Sequence, residues 1–457
     1  MMNLTEGSLS RHTIRMAVPI AIGMLFQTLY YVVDLYFVAA LGDTALAGVS
    51  AAGNATFLVI ALTQALSVGT VVLISQAAGR KDQADANLIF NQSIVLAAGC
   101  ALLVLVGGYG LAHGYVRSVA ADAPTIAAGT TYLYWFLPSL ALQCVVAVLG
   151  AALRGTGIVR PTMLVQMLSV VLNAILAPVF IAGWITGRPM GVAGAGLASS
   201  VAVGVAVIVL WIYFVRLEHF VGVARDLLRP RRAALRRLLS VGLPAGGEMM
   251  LMFVSTAVTY WAIRSFGSSA QAGYGIGARM MQALVLPALA IAFAVPAVVG
   301  QNFGARKVAR VREAFRVSIT LTTALMLVLT LFAQWQPALL IRAFSDDPAV
   351  VAAGAGFMRL VSLNFVAQGL ILSCSSLFQG LGNTRPALAS SVARVVLFVL
   401  ASVWASRQPE FRIEHIWYLA IGTVTLQALI SLLLLRREMR RRLEPLVAVV
   451  VEGPVAA

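Results

Sequence analysis

Twelve apolar runs, each long enough to cross a bilayer as a helix, constrain this chain more than any other feature. A spanning helix needs about 20 mostly apolar residues, because each adds ~1.5 Å along the axis. Runs of that length begin near Ile14, Ala45, Leu88, Ile126, Thr162 and Val192, and again near Val241, Ala278, Glu313, Ala352, Ala387 and Ile416. Composition agrees. The chain is 60% hydrophobic and 11% charged, with mean hydropathy +0.91, whereas soluble domains are about a quarter charged. The first run is read as a span and not as a cleavable leader, because no small-residue cleavage site follows a short apolar core. The expected fold is an all-α integral membrane protein with twelve transmembrane helices.

The net charge of +16 would suggest a nucleic-acid partner in a soluble chain. Its distribution argues otherwise. With the N-terminus assigned to the cytoplasm, 24 of the 33 lysines and arginines fall on the cytoplasmic side, seven of them within 216–237 and five within 436–442. That is the positive-inside pattern. It places both termini in the cytoplasm and makes the charge a topology signal, with no nucleic-acid partner expected.

The chain also repeats itself. RGTGIVRP (154–161) matches QGLGNTRP (379–386) at an offset of 225 residues. The same offset pairs Pro19 with Pro244, Gly42 and Gly48 with Gly267 and Gly273, Gln76 and Gly79 with Gln301 and Gly304, and Gln143 with Gln368. Each half holds six spans, an even number, so both enter the membrane from the same side. The expectation is two parallel six-helix repeats, an N-lobe and a C-lobe, related by a pseudo-twofold axis along the membrane normal. The corresponding boundaries are 1–215 for the N-lobe, 216–240 for a basic cytoplasmic linker, 241–436 for the C-lobe and 437–457 for a cytoplasmic tail. Two such bundles suit alternating access.

Several activities are excluded by missing chemistry. The only lysines, Lys81 and Lys307, complete no GxxxxGK[ST] motif, so no nucleotide motor is present. His12, His113, His219 and His415 lie near span ends without metal spacing, and Cys100, Cys144 and Cys374 fall in apolar runs without a disulfide or zinc pattern. No Gly-x-Ser-x-Gly elbow occurs. The chain is not expected to be an enzyme or to hold a cofactor.

Prolines early in helices 1 and 7, an aspartate late in helix 1 followed by LGD, SQAAG after helix 2, LRGTGIVRP after helix 4 and GVAGAGLAS in helix 6 occur in order. With the six-plus-six duplication they resemble the multidrug and toxic compound extrusion family over nearly the whole chain. The resemblance implies a secondary antiporter of the bacterial inner membrane. Such proteins export bulky, often cationic organic compounds against an inward flow of protons or sodium. Small organic cations or drugs and membrane lipid are the expected partners, and a monomer is the expected state.

Of the 17 acidic residues only Asp34 and Glu248 lie inside spans. An intramembrane carboxylate is costly and is by default a functional candidate. A coupling group must alternate between charged and neutral, and desolvation favours the neutral carboxyl. Gln27, Tyr30, Tyr31 and Val38 share the helical face of Asp34. The resemblance places the helix-1 aspartate in an N-lobe cation site, and Asp34 matches it. The family's helix-5 pattern, Asn-x-x-x-Asp-Pro, here reads NAILAP: Asn173 is kept, Ala177 replaces the acid and Pro178 follows. The helix-6 hydroxyl position is Ser199. Asp34, Asn173 and Ser199 are therefore candidate sodium ligands, short of one carboxylate. A proton needs only one. Proton coupling is expected, with sodium as the alternative. Glu248, four residues after Pro244, is the second coupling candidate; the other reading is an interfacial glutamate paired with Arg237. The acid that relatives carry in helix 10 is absent, with Asn364 and Gln368 in that stretch.

A pocket for varied bulky cations should be apolar, aromatic and adaptable. Its candidate lining is Gln27, Tyr30, Tyr31, Asn173, Met249, Met252, Met280, Asn364 and Gln368; for each aromatic or methionine the competing role is packing or an interfacial belt. Arg359 and Arg394 fall in helices 10 and 11, where they could pair with Glu248 or receive anionic groups. They keep open a flippase for a lipid-linked precursor, against which twelve spans and Asp34 count. The reading from another class is a non-transporting membrane scaffold.

Overall fold

A computed structural model describes residues 2–120, 122–184 and 187–451, with side chains to residue 446; Glu452 and the end of the expected tail lie outside the described residues. Among the described residues, twelve helices are long and apolar enough to cross a membrane: α1 (Leu9–Ala39), α2 (Asp43–Gly79), α3 (Gln83–Val119), α4 (Ala123–Gly155), α5 (Arg160–Ile181), α6 (Val192–Arg216), α7 (Arg232–Phe266), α8 (Ser268–Gly304), α9 (Val308–Trp335), α10 (Pro348–Gly380), α11 (Arg385–Ala405) and α12 (Ile413–Leu446). No strand occurs among the described residues. The helical segment of α12 continues to Val451.

Aspartates set several helix starts. Asp82 accepts from the Asp85 N–H at 3.0 Å before α3, Asp122 from the Thr125 N–H at 2.8 Å before α4, and Asp347 from the Ala349 N–H at 2.8 Å before α10. Each supplies an acceptor to a donor that has no intrahelical partner. The bond from the Thr125 N–H holds the Asp122 carboxyl below the usual carboxylate range.

The chain forms two compact units. One comprises Met1–Asn3 and Pro19–Gly246, the other Leu4–Val18 and Gly247–Ala457. α1 therefore changes unit at Pro19 and α7 shortly after Pro244, the two prolines that pair at the 225-residue offset. In the first unit, Tyr132, Phe136 and Leu140 of α4 form a core with Val49 and Val59 of α2 and Ala195 of α6. In the second, Tyr274 stacks on Trp417 with ring centroids 5.7 Å apart, and Phe357 meets the same indole edge-on at 4.9 Å.

The duplication is visible in backbone contacts. A Cβ on Gly48 would lie 2.7 Å from Gly129 N, and a Cβ on Gly273 would lie 2.7 Å from Gly354 N. Gly155 sits against Val71 O and Ile74, and Gly380 against Pro296 O and Val299. Every residue in the second set is its partner plus 225. Backbones this close exclude any side chain, the usual way membrane helices gain packing where lipid supplies no hydrophobic drive. Gly129→Val and Gly354→Val are each expected to cost about 1–3 kcal/mol through overpacking and to lower the thermal unfolding midpoint in detergent. Gly114→Val, where nothing lies within 4 Å of the added Cβ, should leave the midpoint unchanged; equal effects at all three positions would refute the close-approach account.

Candidate ion-coupling site and substrate cavity

Asp34 is 6% exposed on α1. Its Oδ2 accepts from the Tyr132 hydroxyl of α4 at 3.3 Å, and its Oδ1 has no partner. Tyr132, 3% exposed, is held by stacking on Phe136 at 5.0 Å, one helical turn along α4. One turn before Asp34, the Tyr30 hydroxyl accepts from Asn173 Nδ2 of α5 at 3.2 Å, and the same amide donates to Ser199 Oγ of α6 at 3.2 Å. Asn173 is fully buried, and its Oδ1 also lacks a partner. Four helices thus assemble Tyr30, Asp34, Tyr132, Asn173 and Ser199 into one polar cluster. Two of its acceptor oxygens receive no donor.

A buried acceptor without a donor costs about 1–3 kcal/mol. A proton on Asp34 would remove the charge, and a cation would give both orphan oxygens a partner. No group of three or more His, Cys, Asp or Glu side chains suited to a metal exists among the described residues, so a sodium ion here would rely on one carboxylate and neutral oxygens. Ala177 is fully buried and packs in the apolar cluster that includes Val38, Tyr132 and Ile181.

The repeat shows that this cluster belongs to one unit. At the 225-residue offset, Tyr30, Asp34, Tyr132 and Asn173 become Ser255, Thr259, Phe357 and Phe398. Thr259 bonds back to the Ser255 carbonyl of its own helix at 2.9 Å, and Phe357 and Phe398 sit in the apolar core of the second unit.

The other intramembrane acid follows the reverse pattern. Glu248 corresponds to Gly23, where the end of the Gln166 side chain occupies the space a Cβ would take. Glu248 accepts from Ser375 Oγ of α10 at 2.9 Å and interacts electrostatically with Arg394 of α11. Arg394 donates from Nη2 to Ser255 Oγ at 3.2 Å, while its buried Nε has no partner. The pairing of Glu248 with Arg237 is not found: Arg237 makes two bonds to Asp85, at 2.8 and 3.0 Å. Arg359 is exposed, and its carbonyl accepts from Gln334.

A cavity of about 190 Å³ opens in the first unit. Gln27, Tyr30 and Tyr31 of α1 line it, with Thr63, Phe136, Gln143, Gln166 and Ser169. Asn173 is not in its wall and bonds to Tyr30. The remaining expected residues lie in the second unit. Met249 and Gln368 are half-buried, Met252 is exposed, Met280 packs against the aromatic core, and Asn364 is buried with Oδ1 unpartnered. None of these five lines this cavity. Sequence reasoning did not assign Gln143, Gln166 or the bond from Tyr132. Gln143 was legible only as a repeat landmark, and nothing in the pattern marked Tyr132 as the donor to Asp34.

The MatE family model matches residues 19–179 and 244–404, two copies at the same 225-residue offset. The chain belongs to the MatE family. It is 25% identical over 86% of both chains to the multidrug export protein MepA of Staphylococcus saprophyticus. To the probable multidrug resistance protein YpnP of Bacillus subtilis it is 23% identical, over 91% of this chain and 90% of that one. Among solved structures, a MATE protein in the bent conformation superposes with TM-score 0.91 at 22% identity, covering 97% of this chain and 98% of that one. A MOP superfamily transporter from Pyrococcus furiosus does so with TM-score 0.89 at 22% identity, covering 96% and 98%. The all-α fold of twelve spans in two repeats is that of this MatE-family membrane protein.

The Tyr132–Asp34 bond should be measurable by a double-mutant cycle. Tyr132→Phe is expected to cost about 1.5–3 kcal/mol, the range for hydrogen bonds to charged groups, when unfolding is followed at alkaline pH. In an Asp34→Leu background the same change should cost clearly less. An equal cost in both backgrounds would show that the hydroxyl serves something other than Asp34.

Proposed function

We propose that this protein is a secondary multidrug antiporter that exports bulky, often cationic organic compounds in exchange for inward protons. Asp34 is the coupling carboxylate, and access alternates between the two sides of the membrane. The observation that carries this reading is Tyr30. It bonds to Asn173 in the polar cluster and also lines the cavity. It sits one turn from Asp34, so the ion site and the substrate wall share a side chain and a helix. Adding or removing a proton at Asp34 changes the charge beside Tyr30 and the demand on the Tyr132 hydroxyl. Drug and proton then compete through α1: a proton taken up outside favours release of the drug, and its loss inside resets the site. The relatives named as multidrug export proteins support drugs as the cargo, and the distribution of arginine and lysine supports an inner-membrane protein with both termini in the cytoplasm.

The protein reconstituted in liposomes, with a pH gradient and a sodium gradient imposed separately, tests this. Substrate movement is expected under the pH gradient alone and should be lost in Asp34→Asn. Full coupled movement in Asp34→Asn at normal incorporation would sink the proposal. Movement under sodium alone would transfer the role to a sodium ion held by Asp34, Asn173 and Ser199. Glu248, bonded to Ser375, is not needed in this scheme, so Glu248→Gln should retain pH-driven movement.

The cavity wall supplies the amides of Gln27, Gln143 and Gln166 and no charged side chain. Gln143→Leu and Gln166→Leu should therefore raise the KM of substrates that carry carbonyl or amide groups, by about five- to tenfold for one net hydrogen bond. Purely aromatic cations should be affected less. Unchanged KM for every substrate class in both variants would remove the cavity from the transport path.

A further inference from the structure

Between Arg216 at the end of α6 and Arg232 at the start of α7, the chain is fastened along one face of α3. Gln83 Nε2 donates to His219 O at 3.0 Å. Asn87 Oδ1 accepts from the Gly222 N–H at 2.8 Å; Asn91 accepts from the Ala224 N–H at 2.9 Å and donates to Gly222 O at 2.9 Å. Gln92 donates to Leu227 O and Arg229 O at 2.6 and 2.8 Å and accepts from the Arg231 N–H at 2.7 Å. Residues 83, 87 and 91 form one stripe of the helix. Val221 is fully buried beneath the segment, with Phe220 and Val223 packed beside it. At the repeat offset this row of amides becomes Val308, Arg312, Arg316 and Val317, so the first half alone carries it. A chain segment whose only regular structure is a single 3-10 turn at Arg225–Leu227, held by seven such bonds, is a strap with fixed outward positions.

Those positions carry arginine. Arg225, Arg229 and Arg231 of the strap, with Arg232 and Arg236 in the first turns of α7 beside it, are exposed and form no ion pair among the described residues. Of the two acids in the same stretch, Glu218 is buried and accepts from the Phe220 N–H at 3.0 Å, which leaves Asp226 as the exposed one. Beside the strap, the last turns of α6 expose Trp211 and Val215, and Leu217 follows, 63% exposed. Apolar and aromatic surface next to a span end belongs at the level of lipid headgroups.

We propose that this strap is a docking surface for the anionic phospholipid headgroups of the adjoining leaflet, with the five arginines as phosphate ligands. Guanidinium groups bind phosphate oxygens in a bidentate manner, and basic residues next to a span attract anionic lipid. Because the backbone is already immobilised on α3, little ordering is left to oppose binding. The exposed Val215 and Leu217 favour a lipid surface over a soluble polyanion, which would leave them in water.

The test uses the full chain in nanodiscs of phosphatidylcholine, with and without phosphatidylglycerol, and reads the thermal unfolding midpoint and the phosphatidylglycerol retained in native mass spectrometry. Phosphatidylglycerol should raise the midpoint of the parent protein, and added salt should reduce that rise. Replacing all five arginines by glutamine should abolish the rise and the retained lipid, with about a fivefold loss of affinity for each arginine removed. Should that variant fail to insert, Arg225→Gln with Arg229→Gln reads the same change in part, and Gln92→Leu, which loosens the strap with every arginine in place, should also weaken retention. A folded five-arginine variant that keeps the full phosphatidylglycerol response overturns the proposal. So does equal stabilisation of the detergent-solubilised protein by inorganic polyphosphate.

Discussion

Inside hydrocarbon, a polar atom that finds no partner within the protein finds none at all. That constraint orders the interior of the first unit. Asn173 spends its amide hydrogens on Tyr30 and Ser199, and Tyr132 spends its hydroxyl on Asp34. The Tyr30 and Ser199 hydroxyls that accept from this amide keep their own hydrogens, yet neither reaches the two acceptors that remain. The atoms left over, Asp34 Oδ1 and Asn173 Oδ1, are both acceptors. A mobile positive species is the natural complement of such a site, and a side chain already in place is not. The rest of the unit serves to hold this imbalance steady. The Tyr132–Phe136 stack fixes the phenol, and the glycine contact between α2 and α4 brings α4 close enough to contribute to the core.

Duplication with divergence explains why the imbalance exists only once. The two halves keep the contacts that decide how close helices come, as Gly48–Gly129 and Gly273–Gly354 show. They differ in what fills the space between. Where the first unit has Tyr132 and Asn173, the second has Phe357 and Phe398, and the polar cluster becomes aromatic core. Where the first has Gly23 with Gln166 reaching into its place, the second has Glu248 with Arg394 near it. The second unit carries an acid and a base at positions that are Gly23 and Ser169 in the first. Glu248 thus has a basic residue near it, whereas Asp34 has none among its bonded neighbours.

Much of this was legible in the sequence, for physical reasons. Span length is set by bilayer thickness, so all twelve runs could be counted. A constant offset survives divergence because glycines at backbone contacts tolerate no side chain. Asp34 stood out because acids inside apolar runs are rare. What could not be read was which face of each helix meets which neighbour. In a soluble helix an apolar stripe points to the core, but a membrane helix is apolar on all sides and hides its rotation. Arg237 was therefore weighed against Glu248, eleven residues and about three turns along the same helix, when its partner is Asp85 on another helix. The row Gln83, Asn87, Asn91 and Gln92 belongs to no motif, and only the fold shows it holding a strap. Glu438 looked like part of a charged tail, yet it accepts from Asn383 and Arg442, both at 2.8 Å.

In the proposed cycle, with Ala177 in place of a second acid, the polar cluster of the first unit would alternate between one negative charge and none. A monovalent organic cation neutralises the ionised form as fully as a proton does, and both cannot be accommodated without leaving a net positive charge in a buried site, which desolvation opposes. Mutual exclusion then follows from a single carboxylate, without a second titrating group. One proton exchanged for one monovalent cation moves no net charge, so such a cycle would draw on the pH gradient and not on the membrane potential. A second acid at position 177 would have allowed the site to stay charged after one proton had bound, and exclusion would have been weaker. The loss of that acid is thus compatible with coupling and makes the competition simpler.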